Sequence, residues 1–490
     1  MGKNDFTGMK VLIMGLGLNG GNVEAALYLA RAGAEITATD LRDEKTLAPS
    51  IEKLSSFPVR YVLGRHEMDD FRRADMVIKN PGVSPDSPYL ASARRVETDI
   101  SIFIASSPAR LLAVTGSKGK STVSSALYHC LSGSRSKAGI KGKARLGGNI
   151  ALSPLSFLDD LEEGDDVVLE LSSWQLGDLR GRGELKPRAA IITPIMRDHL
   201  DRYGTMDAYV ADKRLIYRNQ DAGDLTVVSY DEWGEKFLKE SRGRPLAYSE
   251  KPLPQGVSGG WIQDPAGPGL ARLWEIPAIS RTQAHAENRG GNGAAGASPG
   301  SIVEIVPADL LVPGLHQKQN LLAAALALLD LGLPADLIRE SLESFPGVEH
   351  RLEFFHEYGG IRFYNDSCAT IPEAAAAAIM AFGRPPVLVC GGTDKNLDFS
   401  PLALAAKNAK ALILIAGTGT NKLKKLFDEG GLKYRGPFDS IGAAVNAALD
   451  AANPGDSVVL SPGCTSFGMF PNEFERGRKW KEEVCRINGH

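Results

Sequence analysis

"LAVTGSKGKST", Leu112–Thr122, decides how the rest of the chain is read. The apolar residues of a buried strand run into Gly116, Gly119, Lys120, Ser121 and Thr122, and "VSSALYHCL" continues as a helix. A phosphate group needs this combination. Small residues let backbone N–H groups approach it, an ammonium supplies charge, a hydroxyl can hold Mg²⁺, and the helix N-terminus faces the anion. The common form of such a loop, G-x-x-x-x-G-K-[ST], has a glycine five residues before the second one. That position is Val114 here, so the spacing is a shortened T-G-x-x-G-K-[ST]. The candidate phosphate contacts are Gly116, Ser117, Lys118, Gly119, Lys120, Ser121 and Thr122. Taken alone, the loop leaves a plain strand–turn–helix open.

Upstream, "KVLIMGLGLNGG" is a second strand entering a glycine turn, "NVEAALYLARAG" reads as a helix, and "AEITATD" as the next strand. Gly15–Gly20 fits G-x-G-x-x-G, with Asp40 at the end of the following strand, so the turn alone suits NAD or another diphosphate ligand. Downstream, "DDVVLELSS", "RAAIITPIM" and "LTVVSY" read as strands of the same block, and a helix is expected from about Gln317 to Leu331. The Gly/Ala-rich stretch His285–Ser301 reads as a mobile loop. A third block carries "IRFYND", "PVLVCGG", "ALILIAG" and "SVVLSPG", each followed by a helical pattern, which implies a parallel sheet. The expected fold class is α/β, with three consecutive domains. A Rossmann-like domain spans 1–108, a central P-loop domain 109–345, and a second Rossmann-like domain 346–490.

Composition bounds the function classes. A length of 490 residues suits about three domains. The net charge of −3 gives no global basic field, so nucleic acid is not expected and an anionic ligand must be held locally. The five cysteines form no C-x-x-C pair, which argues against a zinc site or disulfide framework and suits a reducing cytoplasm. "MGKNDFTGMK" shows no secretion signal, and the apolar run Leu321–Leu329 is too short to span a bilayer.

Two further stretches carry chemistry. In "VVLELSSWQL", Glu170 ends a buried strand, where P-loop enzymes often place a Mg²⁺ partner. In "DHLDRYGTMDAYVADKRLIY", a helix from about Met206 has Met206, Tyr209, Val210, Ile216 and Tyr217 on its apolar face. Lys213 falls on the same face. An ammonium there must snorkel, find an anion, or lose its proton, and a neutral amine can react with CO₂ to give a carbamate, an acidic metal ligand.

Together "TGSKGKST", "ELSSWQL" and "DHLDRYGTMDAYVADKRLIY" resemble the Mur ligase superfamily, the ATP-dependent amide ligases of peptidoglycan assembly. "GLGLNG", "NPGVS", "GGNIA", "PGLHQKQNLLAAALA", "HRLEFFHEYGGIRFYNDSCAT", "GGTDKNLDFS" and "LSPGCTSFGMFPNEFERG" extend the resemblance over nearly the whole chain. It is closest to the members that add D-glutamate to UDP-N-acetylmuramoyl-L-alanine. The resemblance implies a cytoplasmic monomer using ATP, two Mg²⁺ and CO₂ (as the lysine carbamate), with no nucleic-acid or membrane partner. It implies catalytic roles for Lys120, Glu170, His199 and Lys213, with Ser121, Glu170, His199 and carbamylated Lys213 as metal ligands. His316, Asn320, Arg351 and Asp366 would join the loop in ATP binding. Leu18, Asn19, Asp40, Arg42 and Asn149 would hold the UDP-sugar substrate. Thr370, Lys395, Ser466, Phe467 and Phe474 would hold glutamate. Cys368 and Gln317 stand where the family usually has lysine and asparagine, and the last motif has one extra residue between Phe470 and Phe474. The alternatives are a sister ligase using L-glutamate or another amino acid, a P-loop ATPase without ligase activity, and, from the first glycine turn alone, a nicotinamide-dependent oxidoreductase.

Overall fold

The computed structural model describes residues 3–18, 20–150, 152–182, 184–272 and 301–489. Asn19 and the 285–300 part of the glycine-rich stretch lie outside the described residues.

Three sheets follow one another along the chain. The first holds β1 (Lys10–Met14), β2 (Glu35–Asp40), β3 (Val59–Leu63), β4 (Met76–Lys79) and β5 (Val96–Glu97), in the order β3-β2-β1-β4-β5. All of its pairings are parallel. The order reverses at β1, so the crevice at that strand's C-terminal end receives the first glycine turn.

The second sheet holds β6 (Arg110–Thr115), β7 (Ala144–Gly148), β8 (Asp166–Glu170), β9 (Ala189–Ile192), β10 (Leu225–Ser229), β11 (Arg244–Ser249), β12 (Gly259–Ile262), β13 (Gly269–Arg272) and β14 (Ile302–Val306). Its order is β14-β13-β12-β11-β10-β9-β6-β8-β7. The strand that feeds the phosphate loop, β6, lies between β8 and β9 and is parallel to both. That placement brings the ends of β8 and β9 to either side of the loop. The β12–β13 and β13–β14 pairs are antiparallel and extend one edge.

Both sheets share one continuous apolar core. It runs from Val11 and Ile13 of β1 and Phe103 of helix Asp99–Ser106 to Ala113, Val167, Leu169 and Ile192 beneath the second sheet. Strands covered on both faces need near-continuous apolar sequence, as in "KVLIM" and "RLLAV". An ion pair between Lys79 Nζ and Asp178 Oδ2 (2.7 Å) joins β4 to helix Ser173–Asp178, and both side chains are buried. By contact the chain forms two compact units. Sheets one and two fall in the first, with residues 319–341; the second comprises 265–267, 307–318 and 342–490.

The third sheet holds β15 (Glu353–Tyr358), β16 (Ile361–Asn365), β17 (Val387–Cys390), β18 (Ala411–Ile415), β19 (Arg435–Phe438) and β20 (Ser457–Leu460), in the order β15-β16-β20-β17-β18-β19. Alternation sorts its core into two layers. Leu388, Leu412, Leu414 and Val459 face one way, and Val387, Val389, Ile413, Ile415 and Val458 face the other. The expectation of a wholly parallel sheet is corrected at one edge, where β15 and β16 pair antiparallel. Gly359-Gly360, both at positive φ, make the tight turn of that hairpin. Among the described residues, no helix is long and apolar enough to cross a membrane.

Candidate active site

The Gly116–Thr122 loop is clamped by the strands beside it. Thr115 Oγ1 donates to Leu171 O (2.8 Å), and the N–H and hydroxyl of Thr193 both donate to Thr115 O (2.8 and 3.2 Å). The loop is thus tied to the residues just past β8 and β9. Its two glycines are needed for space as well as for backbone angle. Gly116 has φ +138°, and a Cβ there would lie 1.8 Å from Thr193 Oγ1; Gly119 has φ +90°, and a Cβ would lie 2.2 Å from Asn320 Oδ1. Gly119 also precedes helix Lys120–Ser134, whose first N–H groups lack intrahelical partners.

Two lysine side chains converge on one carbonyl of this loop. Lys120 Nζ donates to Gly116 O (3.1 Å) and Ser117 O (3.0 Å), and Lys213 Nζ donates to the same Gly116 O (2.8 Å). Lys213 is 1% exposed and sits over the Tyr209 ring, 4.6 Å from its centroid. Burial, and then the charge of Lys120, push its pKa down to about 7, while Asp198 and Asp212 pull the other way. Much of the amine is therefore neutral near neutral pH, the form that reacts with CO₂. The expected helix is present as Met206–Lys213. Its Tyr209 hydroxyl shares a hydrogen bond with Ser117 Oγ (2.9 Å), and Ser117 Oγ also accepts from Met196 N (2.9 Å). In the loop, Lys118 is exposed, and Ser121 and Thr122 are half-buried on the helix's first turn.

Glu170 ends β8 and is 2% exposed. Asn149 Nδ2 donates to its Oε1 (3.1 Å), and its Oε2 has no partner among the described residues. A buried carboxylate oxygen left unpaired is costly, so it suits a cation. His199 is at φ +52°, half exposed, with its ring 5.3 Å from Trp174 and 6.1 Å from Tyr209. Asn320 is buried on helix Leu315–Asp330, one turn past exposed His316 on the same helix.

The first glycine turn is wired differently. Asp40 is nearly buried and accepts from Gly17 N (3.1 Å) and Arg42 N (2.9 Å). Asn22 and Asn80 donate to Gly15 O, and Ser50 Oγ donates to Gly17 O (2.7 Å). Leu18 and Arg42 are exposed.

The remaining candidates lie in the second unit. Asp366 accepts from Ser461 Oγ (2.6 Å) and Leu352 N (3.1 Å), and burial pushes it up to about 7. Arg351 is exposed between His350 and Leu352, both at positive φ. Lys395 Nζ lies 5.0 Å from the centroid of the Phe467 ring. Phe467 and Phe474 are exposed, Ser466 Oγ is buried with no partner among the described residues, and Thr370 is half-buried. Cys368 is half-buried, and burial pushes its thiol up to about 11.

Sequence reading missed Arg476. Its fully buried guanidinium donates to Ser367 Oγ (3.0 Å), Ser367 O (2.8 Å) and Cys464 O (3.0 Å), joining the "NDSCAT" and "SPGCTSF" loops. No periodicity marked it. The Asn149–Glu170 and Tyr209–Ser117 contacts were equally invisible, since their partners are distant in sequence.

Residues 9–102 match the N-terminal domain of MurD-like Mur ligases, 114–254 the Mur ligase middle domain, and 350–464 the Mur ligase glutamate ligase domain. The chain belongs to the Mur ligase family. Among similar proteins, this Mur ligase is 38% identical to the UDP-N-acetylmuramoylalanine--D-glutamate ligase of Treponema pallidum, over 97% of both chains. It is 40% identical to the ligase of the same name from Roseiflexus sp., over 97% of this chain and 98% of the relative. The solved UDP-N-acetylmuramate-alanine ligase MurC of Thermotoga maritima shares its fold at TM-score 0.56 and 18% identity, covering 98% of this chain and all (100%) of that one. Family membership moves the first glycine turn away from the nicotinamide reading.

Proposed function

We propose that this chain catalyses ATP-dependent addition of D-glutamate to UDP-N-acetylmuramoyl-L-alanine, an ADP-forming step of cytoplasmic peptidoglycan precursor synthesis. The observation that carries this reading is the convergence of Lys120 and Lys213 on Gly116 O, inside a strand–loop–helix cradle. The full-length likeness to ligases of that name supports the choice of substrates.

The three sheets correspond to domains 1–108, 109–345 and 346–490, for UDP-sugar, ATP and amino acid in turn. Leu18, Asn19, Asp40, Arg42 and Asn149 serve the UDP-sugar substrate. Residues Gly116–Thr122, His316, Asn320, Arg351 and Asp366 serve ATP. Thr370, Lys395, Ser466, Phe467 and Phe474 serve glutamate. Mg²⁺, when bound, neutralises phosphate charge. Ser121 and Glu170 suit one ion, given the unpaired buried Oε2 of Glu170, and His199 with carbamylated Lys213 suit a second.

A carboxylate is a poor electrophile, so it must first be activated. Lys120 turns from its loop carbonyls to the γ-phosphate and orients it. A carboxylate oxygen of the L-alanyl group attacks that phosphorus, the bond to ADP breaks, and an acyl phosphate forms. The glutamate amine then attacks the acyl carbon, inorganic phosphate leaves with the bonding pair, and the nitrogen loses a proton. The chain's contribution is positioning and fixed charge rather than covalent chemistry.

The deciding assay is ADP release with UDP-N-acetylmuramoyl-L-alanine and D-glutamate, L-glutamate or other amino acids in parallel. Stimulation by D-glutamate alone is the expected result. Stimulation by L-glutamate instead would replace the amino acid, and no stimulation by any amino acid would remove the ligase reading.

A further inference from the structure

His199 stands at the start of a four-residue helix, at positive φ, with no hydrogen bond to its ring among the contacts resolved here except a long approach to Asp198 (3.9 Å). The neighbours of its imidazole are instead aromatic rings. Trp174, on helix Ser173–Asp178 after β8, packs against that ring at 5.3 Å with planes inclined by 53°. The guanidinium of Arg202 lies over the same indole, 4.1 Å from its centroid, in cation–π geometry. His199 and Arg202 are three residues apart on the short helix, so the indole touches both. His199 also lies beside Tyr209, 6.1 Å between ring centroids, whose hydroxyl reaches Ser117 of the Gly116–Thr122 loop and whose ring carries Lys213. A row of ring and cation contacts thus runs from Arg202 through Trp174, His199 and Tyr209 to Lys213.

We propose that Trp174 is a positioning residue that holds His199 in its working orientation by tilted ring contact, with Arg202 pinning the indole. The indole N–H is buried without a hydrogen-bond partner among the described residues, so polar contact is not what retains the tryptophan. The ring face and its bulk do the positioning. Phenylalanine should therefore substitute for it, and losing an unpaired buried donor should leave the fold no less stable. The effect on catalysis rests on the reading of His199 as a metal-site residue; the ring contact itself does not.

The test compares Trp174→Ala and Trp174→Phe in the full chain by three readouts. In the first, the His199 ring-proton resonances should lose their ring-current shift in Trp174→Ala and keep most of it in Trp174→Phe. In the second, thermal unfolding of Trp174→Phe should occur at or above the wild-type temperature. In the third, Trp174→Ala should need at least threefold more Mg²⁺ for half-maximal ADP release and lose about tenfold in kcat, with the KM for glutamate unchanged, while Trp174→Phe stays within twofold of wild type. Unmoved His199 resonances in Trp174→Ala would overturn the ring contact. Loss in Trp174→Phe equal to that in Trp174→Ala would overturn the argument that the ring face acts. A wild-type enzyme with no Mg²⁺-dependent ADP release would count against the functional reading of His199, and the resonance shifts would still decide the ring contact.

Discussion

At the end of β1 the N–H of Gly17 is taken by a carboxylate, Asp40, whereas at the end of β6 the carbonyl of Gly116 is taken by two lysine side chains, Lys120 and Lys213. Both turns join a buried parallel strand to a helix through glycines at positive φ, and both lie where a neighbouring strand's end can reach them. The backbone plan is the same. What differs is the group delivered by the next elements: β2 delivers a carboxylate to the first turn, while the Met206–Lys213 helix delivers a buried amine to the second. A turn already holding a carboxylate is suited to a ligand that brings hydroxyl and N–H donors. A turn that carries the Lys120 ammonium at a helix N-terminus is suited to a phosphate. A glycine pattern alone therefore specifies geometry, and its surroundings specify ligand.

The largest break in this contrast should come from Lys120→Met. ADP release should fall by roughly a thousandfold, because a preorganised charge is removed from the transferred phosphoryl group; a loss below tenfold would deny Lys120 that role. Lys213→Ala should lose about a hundredfold or more, with partial recovery in a short-chain carboxylate that replaces the carbamate; near-normal activity without additive would remove the carbamate.

Lys213 also gives a pH signature of stability. Its ordinary pKa of 10.5 falls to about 7 in the fold, so between those values the unfolded chain binds the extra proton. Stability from this group therefore rises with pH across that window, and the penalty is complete below pH 7. Lys213→Met should raise the melting temperature most at pH 6, and the gain should shrink toward pH 10. A pH-independent gain would show that the amine is not held neutral.

Gly119→Ala should cost about 1–3 kcal/mol in denaturant unfolding, since φ is positive and Asn320 blocks the Cβ. Asp40→Ala should have the smallest effect. It leaves two backbone N–H groups of the first turn unpaired, for about 1 kcal/mol. The expected result is a KM for the UDP-substrate raised about fivefold with the KM for ATP unchanged; a shift in both would mean that the two turns are not separate sites.

Much of this was legible in sequence because the decisive elements are continuous. "RLLAVT" and "KVLIM" are buried on both faces and show it as unbroken apolar runs. Lys213 betrayed itself by sitting on an apolar helical face and is buried as that position demands. The edges were less legible. Strands β12 and β19 contain "GGWI" and "RGPF", where glycine and proline imitate turns and mask the strand pattern. The contacts that orient the site were not legible for a related reason. Glu170 meets Asn149 across two strands, and Arg476 reaches two loops over a hundred residues away and twelve residues away respectively. Such contacts leave no period in the chain.

The apolar core shared by the first two sheets and the Lys79–Asp178 bridge bear on how such a gene can be recombined. A crossover between relatives near residue 108 would join halves whose facing surfaces had not been selected together, and a mismatch at Lys79 or Asp178 would strand a charge in the interior. Exchange should be tolerated far better when residues before 108 travel with those through Asp178. For inheritance and for protein engineering, the natural cassette is the pair of sheets.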